Sequence, residues 1–328
     1  GSSIHEVYED AMEEYAEALQ IVQQVEANII SKNVEEKGQS AILFNATHCK
    51  DKRNVFVSQF AQFNAGVWTD KGGHELNHQK SENGWLIEVK NLPSFGVAVL
   101  NFEPDEIIPA ASNFIYHNRK LETAFYQVEW NEYGQMIKIY DKETNRNILA
   151  DGQNGNVLQI FEDKPLAHDA WDIDLFYQEK MEEIRDISTF KVEENGELFF
   201  SLLVTWKYHH SSITQRIRFY HNDRRIDFVT DVDWHEKRKL LKASFSVDIR
   251  ATEATYDIQY GNVKRPTHWN TSWDMARFET VGHQWADLSE PDFGVSLLND
   301  SKYGYDIKEN VMRLTLLKSA IHPDPQAD

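Results

Sequence analysis

The sequence predicts a mainly β protein: a short helical start, a small β domain, and then a large antiparallel β-sandwich. Three observations predict it. Apolar residues recur at helical spacing only near the N-terminal end. After Gly38 the hydrophobic period changes to two. From Ser112 onward, strand-like runs follow one another through the rest of the 328 residues, with no second helix of comparable length. The expected divisions are 1–36 for the helical segment, 37–108 for the small β domain and 109–328 for the sandwich.

In the first segment, Ile4, Val7, Tyr8, Ala11, Met12, Tyr15, Leu19, Val22, Val25 and Ile29 fall on one helical face. Ser3 and Glu6 fit a capping box that starts the helix. A helix this long cannot bury such a stripe alone. It must pack on the β region or on helices outside the chain. Any part left uncovered is an apolar surface, and self-association into a homo-oligomer is its expected consequence.

In the small β domain, AILFNAT, NVFVSQF, GWLIEVK and FGVAVLN read as short strands. The acids and prolines of Phe102 to Ala110 read as a linker. In the large domain the clearest strand is RIDFVTDVDW. Ile226, Phe228, Val232 and Trp234 share one face, and Asp227, Asp231 and Asp233 share the other. That pattern describes a half-buried antiparallel strand whose aspartates face water.

Composition narrows the function. A net charge of −19 argues against nucleic acid or an anionic membrane as partner. It fits a neutral ligand such as a sugar. No run is long and apolar enough to suggest a membrane-spanning helix. One cysteine, Cys49, excludes intrachain disulfides and favours a reducing compartment, so the expected location is cytoplasmic. Nine Trp and thirteen Tyr could stack on sugar faces, but such rings more often fill sandwich cores.

Few motifs carry chemistry. His74-Glu75-Leu76-Asn77-His78 is a literal H-E-x-x-H, and a zinc hydrolase is the weakest alternative function. The motif works on a helix, where both rings face one metal. Here Gly72 and Gly73 precede it and no apolar stripe surrounds it, so a hairpin loop is expected. His209 and His210, read as neighbours in a strand, would point to opposite faces and could not chelate together. Asn45, Asn270 and Asn299 open N-x-[ST] triplets, which chance alone supplies in a chain this long.

Two stretches have the composition of a site. FEDKPLAHDAWDIDLFY sets Asp169, Asp172 and Asp174 around Trp171. Carboxylates accept sugar hydroxyl hydrogens while an aromatic ring covers C–H faces. The competing reading is a loop start with capping acids. QYGNVKRPTHWNTSWDMARFE gathers Arg265, His268, Trp269, Asn270, Trp273 and Asp274 with little β alternation, as a functional loop does. Its competing reading is a crossover loop packed by its own tryptophans. On these residues alone, a carbohydrate-binding β-sandwich module is the alternative to an enzyme part.

These stretches, together with GQMIKIYDKETNRNIL, FYHNDRRIDFVTDVDWHE and HQWADLSEPDFGVSLLNDSKYGYDI, resemble the C-terminal part of family 38 glycoside hydrolases, the α-mannosidases. The likeness spans nearly the whole chain in order and is weak only over about 38–108. It implies a large supersandwich similar to galactose-mutarotase-like domains. The first helix would be the remnant of a three-helix bundle. The family's segment like GSSIHEVYEDA directly follows a motif that ends in a zinc-binding His, so the resemblance places the catalytic domain, its nucleophile and its zinc upstream of Gly1. It also implies a chain cut at both ends. The parent enzyme would cleave terminal α-mannosides with retention, using two carboxyl groups and zinc assistance. No residue here matches the family's nucleophile or zinc-ligand motifs, so no catalytic or metal residue is expected in this chain, and the fragment alone is expected to be inactive. Asp169, Trp171, Asp172, Arg265, His268, Asn270, Trp273 and Asp274 are the candidates for loops at the substrate rim.

Overall fold

The computed structural model describes residues 5–33, 39–48, 51–105 and 111–322. Ser3, Ile4 and Cys49 lie outside the described residues, as do residues 106–110 of the expected linker; its first residue, Phe102, is a buried part of a strand. The chain divides into two units. One holds Gly1–Phe114 with Val192–Ser201 and Arg218–Ile226; the other holds Ile115–Lys191, Leu202–Ile217 and Asp227–Asp328.

The first unit begins with α1, His5–Asn33. Its stripe is exposed: Val7, Tyr8, Met12, Tyr15, Leu19, Val22, Val25 and Ile29 all show large apolar surface. Two three-stranded antiparallel sheets follow. In one, Val97–Glu103 lies between Ser40–Phe44 and Val67–Thr69. In the other, Gly84–Leu92 lies between Asp51–Val57 and His78–Ser81. Period-two alternation in these runs turns one face of each sheet inward. The inward residues build a core of rings: Trp68, Trp85, Phe60 and Phe102, with Ile87 and Leu100. Phe102 sits 5.0 Å from Trp68, 5.4 Å from Trp85 and 5.3 Å from Phe60, centroid to centroid. Trp85 Nε1–H donates to Phe60 O at 3.1 Å, so burying this indole leaves no lost hydrogen bond.

Gln79 fastens the distant segment 192–201 into the same unit. Its Oε1 accepts from the Leu198 and Phe199 amides at 2.8 and 2.9 Å. Gly196 permits the approach, because a Cβ there would stand 2.1 Å from Gln79 Cδ. The amides of Asn54 and Asn222 exchange two hydrogen bonds, at 2.8 and 2.9 Å, and fasten 218–226 in the same way.

In the second unit, a five-stranded meander runs in sequence order from Ile115–His117 to Arg146–Asn147. A six-stranded antiparallel sheet has Lys239–Ser246 and Val311–Ser319 at its centre, flanked by Val157–Glu162 and Gly304–Lys308. A four-stranded sheet pairs Gly261–Pro266, Glu253–Ile258, Trp285–Glu290 and Phe293–Leu298 in that spatial order. Tyr256, Ala286 and Leu288 from that sheet pack in one cluster with Tyr305, Ile307, Met312 and Leu314 from the six-stranded sheet. This is the sandwich the alternating pattern predicts. The long hairpins Asp186–Asn195, Phe199–Tyr208, Ser211–Tyr220 and Ile226–Asp233 form a further sheet in sequence order.

Two local expectations need correction. His209 and His210 are not strand neighbours; they form the two-residue turn between the second and third of those hairpin strands, with His209 at φ 49°. The RIDFVTDVDW strand ends that sheet as an edge, so Val232 is exposed although it lies on the predicted inner face. Its aspartates face outward as expected, and Asp231 takes Arg216 at 3.4 Å.

Candidate site: two braced loops

The first candidate stretch leaves the strand Val157–Glu162 and folds as a loop over residues 163–174. His168 takes a left-handed backbone, φ 54°, and its carbonyl accepts from the Trp171 and Asp172 amides at 2.8 and 2.9 Å. Asp169 Oδ2 accepts from the Ile321 amide at 3.1 Å, and Asp174 Oδ2 from the Leu166 amide at 2.8 Å. Two of the acids are therefore loop fasteners. Asp163, buried at the loop's root, pairs with Lys318, whose Nζ also donates to Asp172 O at 3.0 Å. Burial holds the Asp163 carboxyl above its ordinary value, and Lys318 opposes this. Trp171 stands 62 % exposed beside the His168 ring.

The second stretch follows the strand Gly261–Pro266 and contains a single-turn helix, α2, Ser272–Ala276. Its N-cap is a full capping box. Thr271 Oγ1 accepts from the Asp274 amide at 3.2 Å, and Asp274 Oδ2 accepts from the Thr271 amide at 3.0 Å. The Thr271 hydrogen bonds hold the Asp274 carboxyl below its ordinary range, and His268, 3.3 Å away, adds to this. Lys308 reaches under the loop and donates to Pro266 O, His268 O and Asp274 O at 3.3, 3.5 and 3.3 Å, with its ammonium over the Trp269 ring. Burial lowers the Lys308 ammonium from its ordinary value. Arg265 lies over the Tyr256 ring at 4.7 Å. Asn270 is exposed, and Trp273 is 75 % exposed.

Among the described residues, no hydrogen bond or ion pair joins Asp169, Trp171 or Asp172 to Arg265, His268, Asn270, Trp273 or Asp274. The loops meet one step behind these residues. Ile173 from the first and Phe278 from the second pack on the cluster of Phe161, Tyr177 and Leu240. Tyr177 Oη donates to Glu279 Oε1 at 2.5 Å. Lys242, wholly buried, donates to Tyr177 Oη at 2.9 Å and pairs with Glu279. Asp306 lies 4.0 Å from the same ammonium and takes Arg313 Nη1 at 2.8 Å. Burial raises the Glu279 carboxyl, with Lys242 opposing it, and burial beside Glu279 raises the Tyr177 phenol. A lysine with no exposed surface has no access to substrate. This network is a brace that sets where the two loops leave the sheet.

Sequence reading did not find Lys242, Tyr177, Glu279, Asp306 or Arg313. One signal was present: Lys242 sits in KLLKASFS, a polar residue in the middle of a buried run. The H-E-x-x-H reading fails on geometry. His74 is in an exposed turn against Asp70, and His78 opens a strand with Nδ1 2.7 Å from Leu76 O. Among the described residues no group of three or more His, Cys, Asp and Glu side chains could hold a metal ion. No described helix is long and apolar enough to cross a membrane.

Residues 121–326 match the family model described as the glycosyl hydrolases family 38 C-terminal domain. The chain belongs to glycosyl hydrolase family 38. Within that family it is 43 % identical over 214 residues to alpha-mannosidase G of Dictyostelium discoideum, which covers 63 % of this chain and 20 % of that protein. It is 36 % identical over 213 residues to alpha-mannosidase 2C1 of Homo sapiens, covering 63 % of this chain and 20 % of that protein. It is 38 % identical over 201 residues to an alpha-mannosidase of Saccharomyces cerevisiae, with 58 % and 18 % covered. The chain thus spans about a fifth of the length of the curated relatives it matches. Its fold is that of an alpha-mannosidase from Enterococcus faecalis V583, with a TM-score of 0.75 at 13 % identity, over 97 % of this chain and 45 % of that one. The family 38 C-terminal domain is therefore present here, and the family 38 catalytic domain is not.

Proposed function

We propose that this chain is the C-terminal part of an α-mannosidase and that its two braced loops, around Trp171 and Trp273, stand at the rim of a mannoside site completed by a catalytic domain outside the chain. The observation that carries this reading is the match to the family 38 C-terminal domain over residues 121–326, the segment that holds both loops, together with the identity to alpha-mannosidases. The brace supports the rim assignment. Buried Lys242, Tyr177 and Glu279 hold two loops whose outer residues are exposed aromatics and hydrogen-bonding groups, the composition that binds sugars. Retaining hydrolysis needs a carboxylate nucleophile and a carboxylic acid flanking one glycosidic bond. In this reading both, with any zinc, belong to the catalytic domain, and the protein works in the cytoplasm. The chain by itself is then inactive.

The test is hydrolysis of a chromogenic aryl α-mannoside by the purified chain with zinc added. No turnover is expected; turnover that survives repurification overturns the reading. In a longer protein that carries this chain and is active, Trp273→Ala and Trp171→Ala are expected to raise KM more than they lower kcat. Unchanged kinetics in both variants remove the rim assignment.

A further inference from the structure

A second place in the sandwich has the shape of a small ligand site, and it uses none of the residues discussed above as rim candidates. A cavity of about 270 Å³ opens between the residues just before the strand Trp285–Glu290, the connection that follows the strand Phe293–Leu298, and the end of the strand Glu253–Ile258. It is lined by Asp257, His283, Gln284 and the run Asn299 to Tyr303. Its volume lies just below the roughly 300–1,000 Å³ of drug-sized sites, which leaves room for one small ring.

The lining is preformed. Asn299 Oδ1 accepts from the Ser301 amide at 3.1 Å and from the Lys302 amide, so the turn 299–302 is held by its own asparagine. Asn299 Nδ2 donates to His283 O at 3.1 Å, and the buried Tyr305 phenol donates to the same carbonyl at 3.1 Å. Asp257 Oδ2 accepts from the Gln284 amide at 3.0 Å, and the Gly282 amide donates to Tyr303 O at 3.0 Å. Every segment of the wall is tied to another through its backbone.

What the wall leaves free is a mixed set. Asp300 Oδ1 accepts from the Ser301 hydroxyl at 3.1 Å and Asp257 Oδ2 from the Gln284 amide, so each carboxylate offers its other oxygen. Among the described residues, no hydrogen bond or ion pair engages Lys302 Nζ or the Gln284 side-chain amide. Tyr303 is 57 % exposed, and the His283 ring meets it edge-on at 5.6 Å and 87°. With more than half of its surface exposed, the Tyr303 ring is accessible to a ligand. Carboxylates, an ammonium, an amide and one exposed aromatic ring, in a cavity the size of one ring, suit a ligand with several hydroxyls and an apolar C–H face. They do not suit an anion, because Asp257 and Asp300 face the only lysine. They do not suit an apolar ligand, because most of the lining is polar.

We infer that the cavity between Asp257, Gln284 and Asn299–Tyr303 binds a single neutral hexopyranose unit, stacked on Tyr303 and hydrogen-bonded by Asp300, Asp257 and Lys302. It is a non-catalytic glycan site. Nothing in it depends on the rim assignment or on turnover, so the two readings fail separately.

The test is titration of the whole purified chain with methyl α-mannopyranoside, followed by calorimetry and by saturation-transfer NMR. Saturable binding in the millimolar range is expected. Tyr303→Ala and Asp300→Ala, both on the surface, are each expected to weaken it about tenfold, the equivalent of ~1.4 kcal/mol. Phe95→Ser, on an exposed turn of the first unit, is expected to leave it unchanged. No saturable binding at tens of millimolar sugar overturns the inference. So does binding that survives both cavity variants, or binding that Trp273→Ala abolishes, which would place the sugar on the braced loops instead. Unchanged circular dichroism and melting temperature in the variants confirm that a loss is local.

Discussion

The two units bury their most informative residues in opposite ways. The first packs Trp68, Trp85, Phe60 and Phe102 ring against ring, with centroids 5.0 to 6.5 Å apart and the Lys80 ammonium 5.3 Å from the Trp85 ring centroid. The second buries Lys242, Glu279, Tyr177 and Asp306 behind its two candidate loops. Ring packing is non-directional and gives stability wherever area leaves water. A buried ionic network contributes little net stability, because desolvation offsets the attraction, but it is satisfied in only one arrangement. The difference teaches where each kind of burial is used: rings where a small domain must hold together, ions where two loops must leave a sheet at fixed points.

The comparison can be broken first at the rings. Trp85→Ala is expected to cost about 3–5 kcal/mol, by lost transfer energy and a cavity that the neighbouring rings cannot fill. Chemical denaturation of the whole chain should show the transition of the first unit moved and that of the second nearly unmoved. A loss under ~1 kcal/mol would mean that the ring cluster is not what holds the first unit.

The brace answers next. Lys242→Met strands Glu279 without its cation and is expected to cost about 3–5 kcal/mol. The double variant Lys242→Met with Glu279→Met removes both charges and is expected to recover most of that. If the brace positions the loops, the double variant still exchanges amide hydrogens faster than the parent over 163–176 and 267–279. Parent-like exchange there would reduce the network to ordinary core.

A smaller effect belongs to the cap of α2. Thr271→Ala removes a side-chain acceptor and is expected to cost ~1 kcal/mol, read as faster exchange at the Asp274 amide. Acid has the same target. The Asp274 carboxyl is held below its ordinary 3.8, so its contribution is present above that value and is lost as pH falls through the lower folded value. Asp274→Asn should remove that acid sensitivity of the second loop; persistence of it would assign the effect to another group.

Least costly in stability, within about 0.5 kcal/mol, is the substitution of Tyr8, Met12, Tyr15 and Leu19 by Gln or Lys on the exposed face of α1. The consequence lies in association. Light scattering of the parent chain is expected to show mass rising with concentration, and of the variant a constant monomer mass. A parent that stays monomeric at high concentration would mean that the stripe does not drive assembly.

Much of the fold was legible along the chain. Four strands of the small β unit were readable from their runs, while Val67–Thr69 and His78–Ser81 were not, because three or four residues are too few to show a period. The helix was readable from its stripe, and the location of H-E-x-x-H off any helix from its flanking glycines. The edge position of Ile226–Asp233 was not readable, since alternation reports which face is apolar and not how many neighbours a strand has. The turn at His209 was not read either, because no Gly, Pro, Asn or Asp stands in residues 207–212 to mark it. In the candidate loops, sequence picked out Trp171, Trp273 and their acids by composition. It left capping acids open as the competing reading, and Asp169 and Asp174 do serve backbone amides, a use that looks the same in sequence as a ligand-binding carboxylate.

The sequence by itself determined the class of the protein: a mainly β chain with a helical start, acidic, carrying the segments that mark the family 38 C-terminal domain. These follow from local periodicity, charge and motif, which are properties of neighbouring residues. Only the tertiary structure decided that Gln79 and Asn54 bring 192–201 and 218–226 into the first unit. It alone brought Tyr177, Lys242, Glu279 and Asp306 to one point across more than a hundred residues. The physical reason is that a buried polar group must find its partner somewhere, and the sheet register, not the spacing in sequence, determines where.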